Sequence, residues 1–182
     1  DADIAPYRGR YDTGWTALRE QRRAGAIAAG VMPDGMAMVR MNTTAAWDSL
    51  TTEQRRQRAG AMEAYGGMAT AMDREIGRLI DYLKRSGEYE NTVFLFLSDN
   101  GGEATDPMEG FQPRMATRYY YDTSIEQQGR PDSFTAIGAG FASAVSSPLR
   151  GYKFTASEGG LRVPLIVAWP GNPAFAAGKV SK

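Results

Sequence analysis

The feature that most constrains the fold is the segment "VFLFLSDNGGE" at residues 93–103. Its apolar run, Val93 to Leu97, is followed after one serine by Asp99, Asn100 and two glycines. A continuous apolar run of this length is typical of a strand covered on both faces. We therefore predict a buried strand over residues 92–98. A second run, "VPLIVAW" at residues 163–169, predicts another buried strand, with Pro164 marking an edge position near its start.

Helical patterns lie upstream of the first strand. Residues 12–25 show helical spacing, and residues 47–86 predict a long helix that begins with a capping box formed by Thr51 and Gln54. Gly87 is placed to end this helix. An apolar stripe at spacings of three and four predicts a face packed in the core; it comprises Met62, Tyr65, Ala69, Met72, Ile76, Leu79 and Leu83. A long helix that leads into a strand predicts an α/β fold.

The composition excludes several classes of function. The chain has 182 residues, with 21 basic and 21 acidic side chains, so it lacks the basic excess that nucleic-acid binders need. It has no cysteine and no histidine, so a metal has to be held by oxygen ligands, as calcium or magnesium are. No apolar run approaches the roughly 20 residues of a membrane helix. The first residues lack a signal-peptide pattern, and we expect the chain to be part of a longer protein.

Asp99 and Asn100 are the first candidate site residues. They follow a strand, and ligands of open α/β sheets gather just outside the carboxyl ends of the strands. A carboxylate next to an amide oxygen suits a divalent cation. The alternative is a turn of the common Asn-Gly type that only leads the chain out of the sheet.

A second candidate segment, "LRGYKFTASEGGLRVP" at residues 149–164, places Lys153 in a polar loop ahead of the second strand. A lysine in such a loop can present a positive charge to an anion, or it can be an ordinary exposed side chain. Glu158 and Arg162 are four residues apart and can pair to hold the loop. Between the two segments, residues 101–150 show no strong periodicity and predict a long loop with short elements.

Taken together, "TVFLFLSDNGGE" and "SSPLRGYKFTASEGGLRVPLIVAWPG" resemble the sulfatases of the alkaline-phosphatase superfamily, most of all bacterial arylsulfatases with a formylglycine nucleophile. The upstream segments "YRGRYDTGWTALREQRR" and "MDREIGRLIDYL" are similar to the family in the same order, so the resemblance covers nearly the whole chain. It implies a mixed β-sheet sandwiched between helices, to which residues 1–182 contribute as the C-terminal portion of a single catalytic domain.

The resemblance also implies the roles of individual residues. Asp99 and Asn100 match the metal-binding pair of the family, normally on Ca²⁺ and less often on Mg²⁺. Lys153 matches the lysine that contacts the sulfate group, and is the expected catalytic and substrate-binding residue of this chain. Gly159 and Gly160 match a structural glycine pair. The implied function is hydrolysis of a small-molecule sulfate monoester.

The chain departs from the family pattern in what it lacks. It has no cysteine, and no serine begins the motif that carries formylglycine; the first pair of metal-binding aspartates and the active-site histidines are not present either. We therefore expect the nucleophile to lie in an N-terminal half of the same domain, which completes the active site together with these residues. Two other functions stay open: a phosphonate or phosphate ester hydrolase of the same superfamily, and a non-catalytic metal- or anion-binding remnant. The compartment, bacterial periplasm or cytoplasm, is not indicated.

Overall fold

The computed structural model describes residues 2–41, 44–106, 119–175 and 177–180. The α-helices and β-strands that lie wholly within these ranges are α1 (Gly14–Ala28), α2 (Thr52–Ser86), β1 (Phe94–Leu97), α3 (Gly138–Val145), α4 (Glu158–Leu161) and β2 (Leu165–Ala168). Short 3-10 helices lie at Ala5–Tyr7, Trp47–Ser49, Tyr89–Asn91, Ile125–Gln127 and Pro173–Phe175. Both predicted helices and both predicted strands are confirmed, with boundaries shifted by a few residues.

The capping box at the start of α2 is confirmed. The amide of Gln54 donates to Thr51 Oγ1 at 3.2 Å, and the amide of Thr51 donates to Gln54 Oε1 at 2.9 Å. These two bonds satisfy N–H groups that a helix start otherwise leaves without a partner. At the other end, Gly87 takes the left-handed conformation, with φ +79°, that closes a helix.

The predicted burial of the apolar stripe on α2 is correct for Met62 and wrong for most of the other stripe residues, since Tyr65 and Ala69 are already exposed. Met62 is 1% exposed, whereas Met72 and Leu79 are 47% and 52% exposed. The buried residues of α2 all lie between Ala59 and Gly67. Periodicity reports which residues share a face of the helix, but the elements that pack on that face decide its burial.

A cluster of aromatic rings forms the core. Phe141 is fully buried, and its ring meets those of Trp15 and Trp47 edge to face at 5.6 and 5.9 Å between centroids. Trp15 and Trp47 contact each other at 4.8 Å, and Tyr11 adds a further edge contact to Phe141 at 6.0 Å. Such edge-to-face pairs are favourable beyond the apolar area that they bury.

Helix α3 carries Phe141 into this core, within the segment predicted as a long loop with short elements. Its residues are small, and six of the eight are buried. A helix that is buried on all sides lacks the amphipathic period by which sequence patterns reveal helices. The buried guanidinium of Arg19 fixes α3 to α1 by donating to the Ser143 carbonyl at 2.8 Å, and it also donates to the Val39 carbonyl.

Strands β1 and β2 pair antiparallel, with Phe94 opposite Ala168 and Leu97 opposite Leu165. We call this pair the ribbon. The prediction that both strands are buried is wrong for the described residues, since Leu95, Leu97 and Leu165 are 65%, 59% and 60% exposed. Helices together with a small sheet agree with the predicted α/β class, while the larger mixed sheet between helical layers stays a prediction.

Candidate functional site

The register of the ribbon brings the two candidate segments together. Leu97, the last residue of β1, pairs with Leu165, the first residue of β2. Because the strands are antiparallel, the chain that leaves β1 and the chain that enters β2 lie at the same end of the ribbon. The turn after β1 contains Asp99 and Asn100, and the loop before β2 contains Lys153.

Backbone hydrogen bonds fix the two loops side by side. The amide of Gly101 donates to the carbonyl of Gly160 at 3.0 Å, and the amide of Lys153 donates to the carbonyl of Gly102 at 3.0 Å. The loop before β2 is closed on itself by the amide of Gly159, which donates to the Arg150 carbonyl at 2.7 Å. The position of Lys153 relative to the turn is thus set by main-chain contacts.

The glycines at this junction are required by close approach. A Cβ atom on Gly101 would lie 1.8 Å from the carbonyl oxygen of Gly159, and one on Gly102 would lie 2.3 Å from a side-chain methyl of Val145 in α3. At Gly101 a side chain would require the backbone to move, whereas at Gly102 the side chain of Val145 would have to shift. The packing of Gly102 rests the turn on α3. A Cβ on Gly159 or Gly160 would meet backbone oxygens at 2.3 and 2.2 Å, which agrees with the structural role expected for that pair.

Asp99 is exposed and Asn100 is half-buried at the end of the ribbon. The side-chain nitrogen of Asn100, Nδ2, donates to the Gly101 carbonyl at 3.0 Å. The side-chain oxygen is therefore the atom that Asn100 can offer to a cation. The hydroxyl of Ser98 donates to the Asn100 carbonyl at 2.8 Å and stiffens the same turn.

The oxygen atoms of Asp99 and Asn100 fit the chemistry of a hard cation but supply only part of a ligand shell. Calcium takes about six to eight oxygen ligands. Within the described part of the chain, no group of three or more acidic, histidine or cysteine side chains is gathered as a metal site. A cation at this turn needs ligands from other parts of the protein.

The ammonium group of Lys153 lies 2.9 Å from Glu103 Oε2 and 5.2 Å from the centre of the Phe154 ring. The hydrogen bond to Glu103 raises the pKa of Lys153, and the charge of Asp99 contributes in the same direction. Lys153 is therefore cationic at neutral pH and lies within the electrostatic reach of the predicted metal pair. Its side chain is 33% exposed, so it can meet a ligand from solvent.

Glu103 is a site residue that sequence reasoning missed. Partial burial raises the pKa of its carboxyl group, but hydrogen bonds from Thr105 and Lys153 outweigh that effect, and the pKa is about 2. One sequence signal could have indicated Glu103: it is an acidic residue directly after the two glycines, in the same motif as Asp99. Its partner Lys153 is remote in sequence, so spacing alone could not connect them.

The predicted ion pair between Glu158 and Arg162 is confirmed. Arg162 Nη1 lies 3.1 Å from Glu158 Oε2, and both side chains are largely exposed. The pair spans α4 at a spacing of four residues, where opposite charges stabilise a helix modestly. Because both side chains are exposed, the pair contributes little to the stability of the loop.

The chain is similar to known proteins over nearly its whole length. The family model described as Sulfatase matches residues 2–181. An uncharacterized sulfatase of Schizosaccharomyces pombe is 40% identical over 172 residues, which are 92% of this chain and 31% of that protein. An arylsulfatase of Klebsiella aerogenes is 31% identical over 174 residues, which are 94% of this chain and 37% of that protein.

The chain therefore belongs to the sulfatase family, as its motifs predicted. It spans about a third of the length of the curated relatives that it matches. Within the ranges that the structure describes, no helix is both long enough and apolar enough to cross a membrane.

Proposed function

We propose that these residues are the C-terminal portion of the catalytic domain of an arylsulfatase-like enzyme that hydrolyses small-molecule sulfate monoesters. The observation that carries the proposal is the meeting of Asp99, Asn100 and Lys153 at one end of the ribbon, fixed by the hydrogen bonds of Gly101 and Gly102. Hard oxygen ligands for a divalent cation, beside a cationic side chain, suit the negatively charged tetrahedral group of a sulfate ester. The match to an arylsulfatase of K. aerogenes supports the aryl class of substrate.

In this proposal each residue has a separate task. Lys153 donates hydrogen bonds to the sulfate group and stabilises the negative charge that develops as the ester bond breaks. Asp99 and Asn100 would hold a calcium ion through their carboxylate and side-chain amide oxygens, with Mg²⁺ as the less suitable ion. When bound, the ion supplies Lewis-acid stabilisation of the sulfate oxygens. The nucleophile, formylglycine in our proposal, lies outside these 182 residues, since they contain no cysteine and no serine in the required motif.

We further propose that the rest of the same domain covers the ribbon. Side chains on alternate faces, such as Leu95 and Phe96, are exposed together. A ribbon with apolar residues on both faces needs a layer on each side. The curated relatives are about three times as long as the matched segment, which is enough chain to supply these layers.

The proposal is tested in the full-length protein with an aryl sulfate such as 4-nitrophenyl sulfate. We expect Lys153→Ala and Asp99→Ala each to lower kcat/KM by about a hundredfold or more, and Asp99→Ala to weaken calcium binding as well. Lys179→Ala removes the same charge from an exposed site far along the chain and is the matched control. Unchanged rates in both site variants would contradict the assignment.

The same assays separate the alternatives. A larger kcat/KM for 4-nitrophenyl phosphate or a phosphonate ester than for the sulfate would favour the other hydrolases of the superfamily. We expect the isolated 182 residues to show no turnover and weak calcium affinity, since they contribute two side-chain metal ligands. Tight binding of sulfate or calcium without turnover in the full-length protein would favour a binding remnant.

A further inference from the structure

We infer that Glu103 is a positioning residue for Lys153: it fixes the ammonium group where the sulfate ester binds. The inference rests on the proposed function, because it concerns the same site. Glu103 follows the glycines of the turn after β1, whereas Lys153 lies in the loop before β2. The side-chain pair thus joins the two segments that the main-chain bonds of Gly101 and Gly102 already hold together.

The carboxylate of Glu103 is itself fixed, and its two oxygens have different partners. Oε1 accepts hydrogen bonds from the Thr105 amide at 2.7 Å and from the Thr105 hydroxyl at 2.5 Å. Oε2 faces Lys153 Nζ at 2.9 Å. One oxygen therefore anchors the group to the backbone, and the other receives the ammonium.

The lysine is held at both ends as a result. Its backbone amide is bonded to Gly102, and its ammonium is bonded to Glu103. A lysine side chain has a flexible four-carbon stem and loses conformational entropy when it is fixed. With Glu103 in place, part of that entropy is lost on folding rather than on substrate binding. An ammonium group has three donors, so the contact to Glu103 leaves capacity for an anion.

The chemistry of Glu103 suits positioning and does not suit proton transfer. With a pKa of about 2 it is ionised throughout the neutral range, so it has no proton to donate at neutral pH. Its negative charge also repels a sulfate in the ground state. A residue with that cost for binding is useful only if it improves the placement of the charge that meets the transition state.

The test compares variants of the full-length protein in the hydrolysis of an aryl sulfate. Glu103→Gln keeps the shape of the side chain and removes its charge. We expect kcat to fall about tenfold or more, because a small displacement of a charge-stabilising group is costly, with KM unchanged or lower. Glu103→Asp should recover less than the full rate, because the shorter side chain cannot span Thr105 and Lys153 together.

A double-mutant cycle separates positioning from a structural effect. In a Lys153→Met background, Glu103→Gln should cause no further loss. Glu158→Gln is the matched control, since it removes a glutamate charge beside the same loop but faces Arg162; we expect it to keep the parent rate. If Glu103→Gln does not fold, Thr105→Val loosens the carboxylate without changing its charge and should give a smaller loss of kcat that also vanishes with Lys153→Met.

The outcomes distinguish the inference from the function that it rests on. Parent-like kcat for Glu103→Gln, with Lys153→Met impaired, overturns the positioning role and leaves the proposed function intact. Equal losses from Glu103→Gln in both backgrounds also overturn it, since Glu103 would then act independently of the lysine. Full activity of Lys153→Met contradicts the proposed site itself.

Discussion

The amide of Gly101 donates a 3.0 Å hydrogen bond to the carbonyl of Gly160, and a Cβ on Gly101 would lie 1.8 Å from the neighbouring Gly159 oxygen. The turn that carries the candidate metal ligands therefore touches the loop that carries Lys153, backbone to backbone. No side chain can be inserted at this contact without moving one of the two segments.

The first prediction concerns that contact. Gly101→Ala should lower the free energy of unfolding by about 2 kcal/mol or more, because the added methyl group meets backbone atoms that cannot rotate away. Gly77→Ala is the control: it lies within α2 with nothing within 4 Å of the added Cβ. That change should stabilise the protein by about 0.5–1 kcal/mol. Urea denaturation measures both, and equal effects would contradict the packing described.

The second prediction concerns pH. The pKa of Glu103 is about 2 in the folded protein, compared with an ordinary value of 4.5. A carboxyl group with a lowered pKa stabilises the folded state above its unfolded pKa, and this contribution is lost as pH falls toward the folded pKa. The difference in unfolding free energy between the parent and Glu103→Gln should be constant above about pH 5.5 and shrink between pH 4.5 and pH 2. A difference that did not vary over this range would contradict the lowered pKa.

The third prediction concerns the aromatic core. Phe141→Ala should cost about 3–5 kcal/mol, since it removes a fully buried ring that contacts Trp15 and Trp47. Phe154→Ala, which truncates a side chain that is 80% exposed, should change stability by less than about 0.5 kcal/mol. Thermal unfolding of the two variants provides the comparison, and a large effect at Phe154 would show that its ring is covered.

The fourth prediction tests whether the rest of the domain covers the ribbon. Leu95 is 65% exposed in the described residues. In the full-length protein, Leu95→Lys should destabilise the fold by several kcal/mol, because it would bury an unpaired charge. Val31→Lys, at a residue that is 49% exposed and outside the ribbon, is the control. Similar, small effects of both substitutions would mean that the ribbon faces solvent in the whole protein.

Local sequence signals predicted local structure well. The capping box of Thr51 and Gln54, the ending of α2 at Gly87 and the pairing of Glu158 with Arg162 each depend on residues within four positions of one another. The positions of both strands also followed from their composition. Short-range patterns carry this information because the interactions themselves are short-range.

The burial of residues and the contacts between residues far apart in the chain were harder to predict from the sequence. The apolar character of β1 predicted cover on both faces, but burial depends on neighbouring chain that the described residues do not supply. Helix α3 was hidden because its small, fully packed residues have no polar face. Glu103 was missed because its partner Lys153 comes from a distant loop. Asp99, Asn100 and Lys153 were candidates because of their positions next to the strands, but their roles came from resemblance to a family and stay predictions.

The pairing of Leu97 with Leu165 has a consequence for how this region tolerates change in chain length. It closes a long loop whose two ends carry the candidate site. The entropy of closing a loop rises only with the logarithm of its length, so doubling the length costs about 0.6 kcal/mol. Residues can therefore be inserted in an exposed turn of this loop, such as residues 130–132, at small entropic cost while the two loop ends, and the residues presented there, keep their positions.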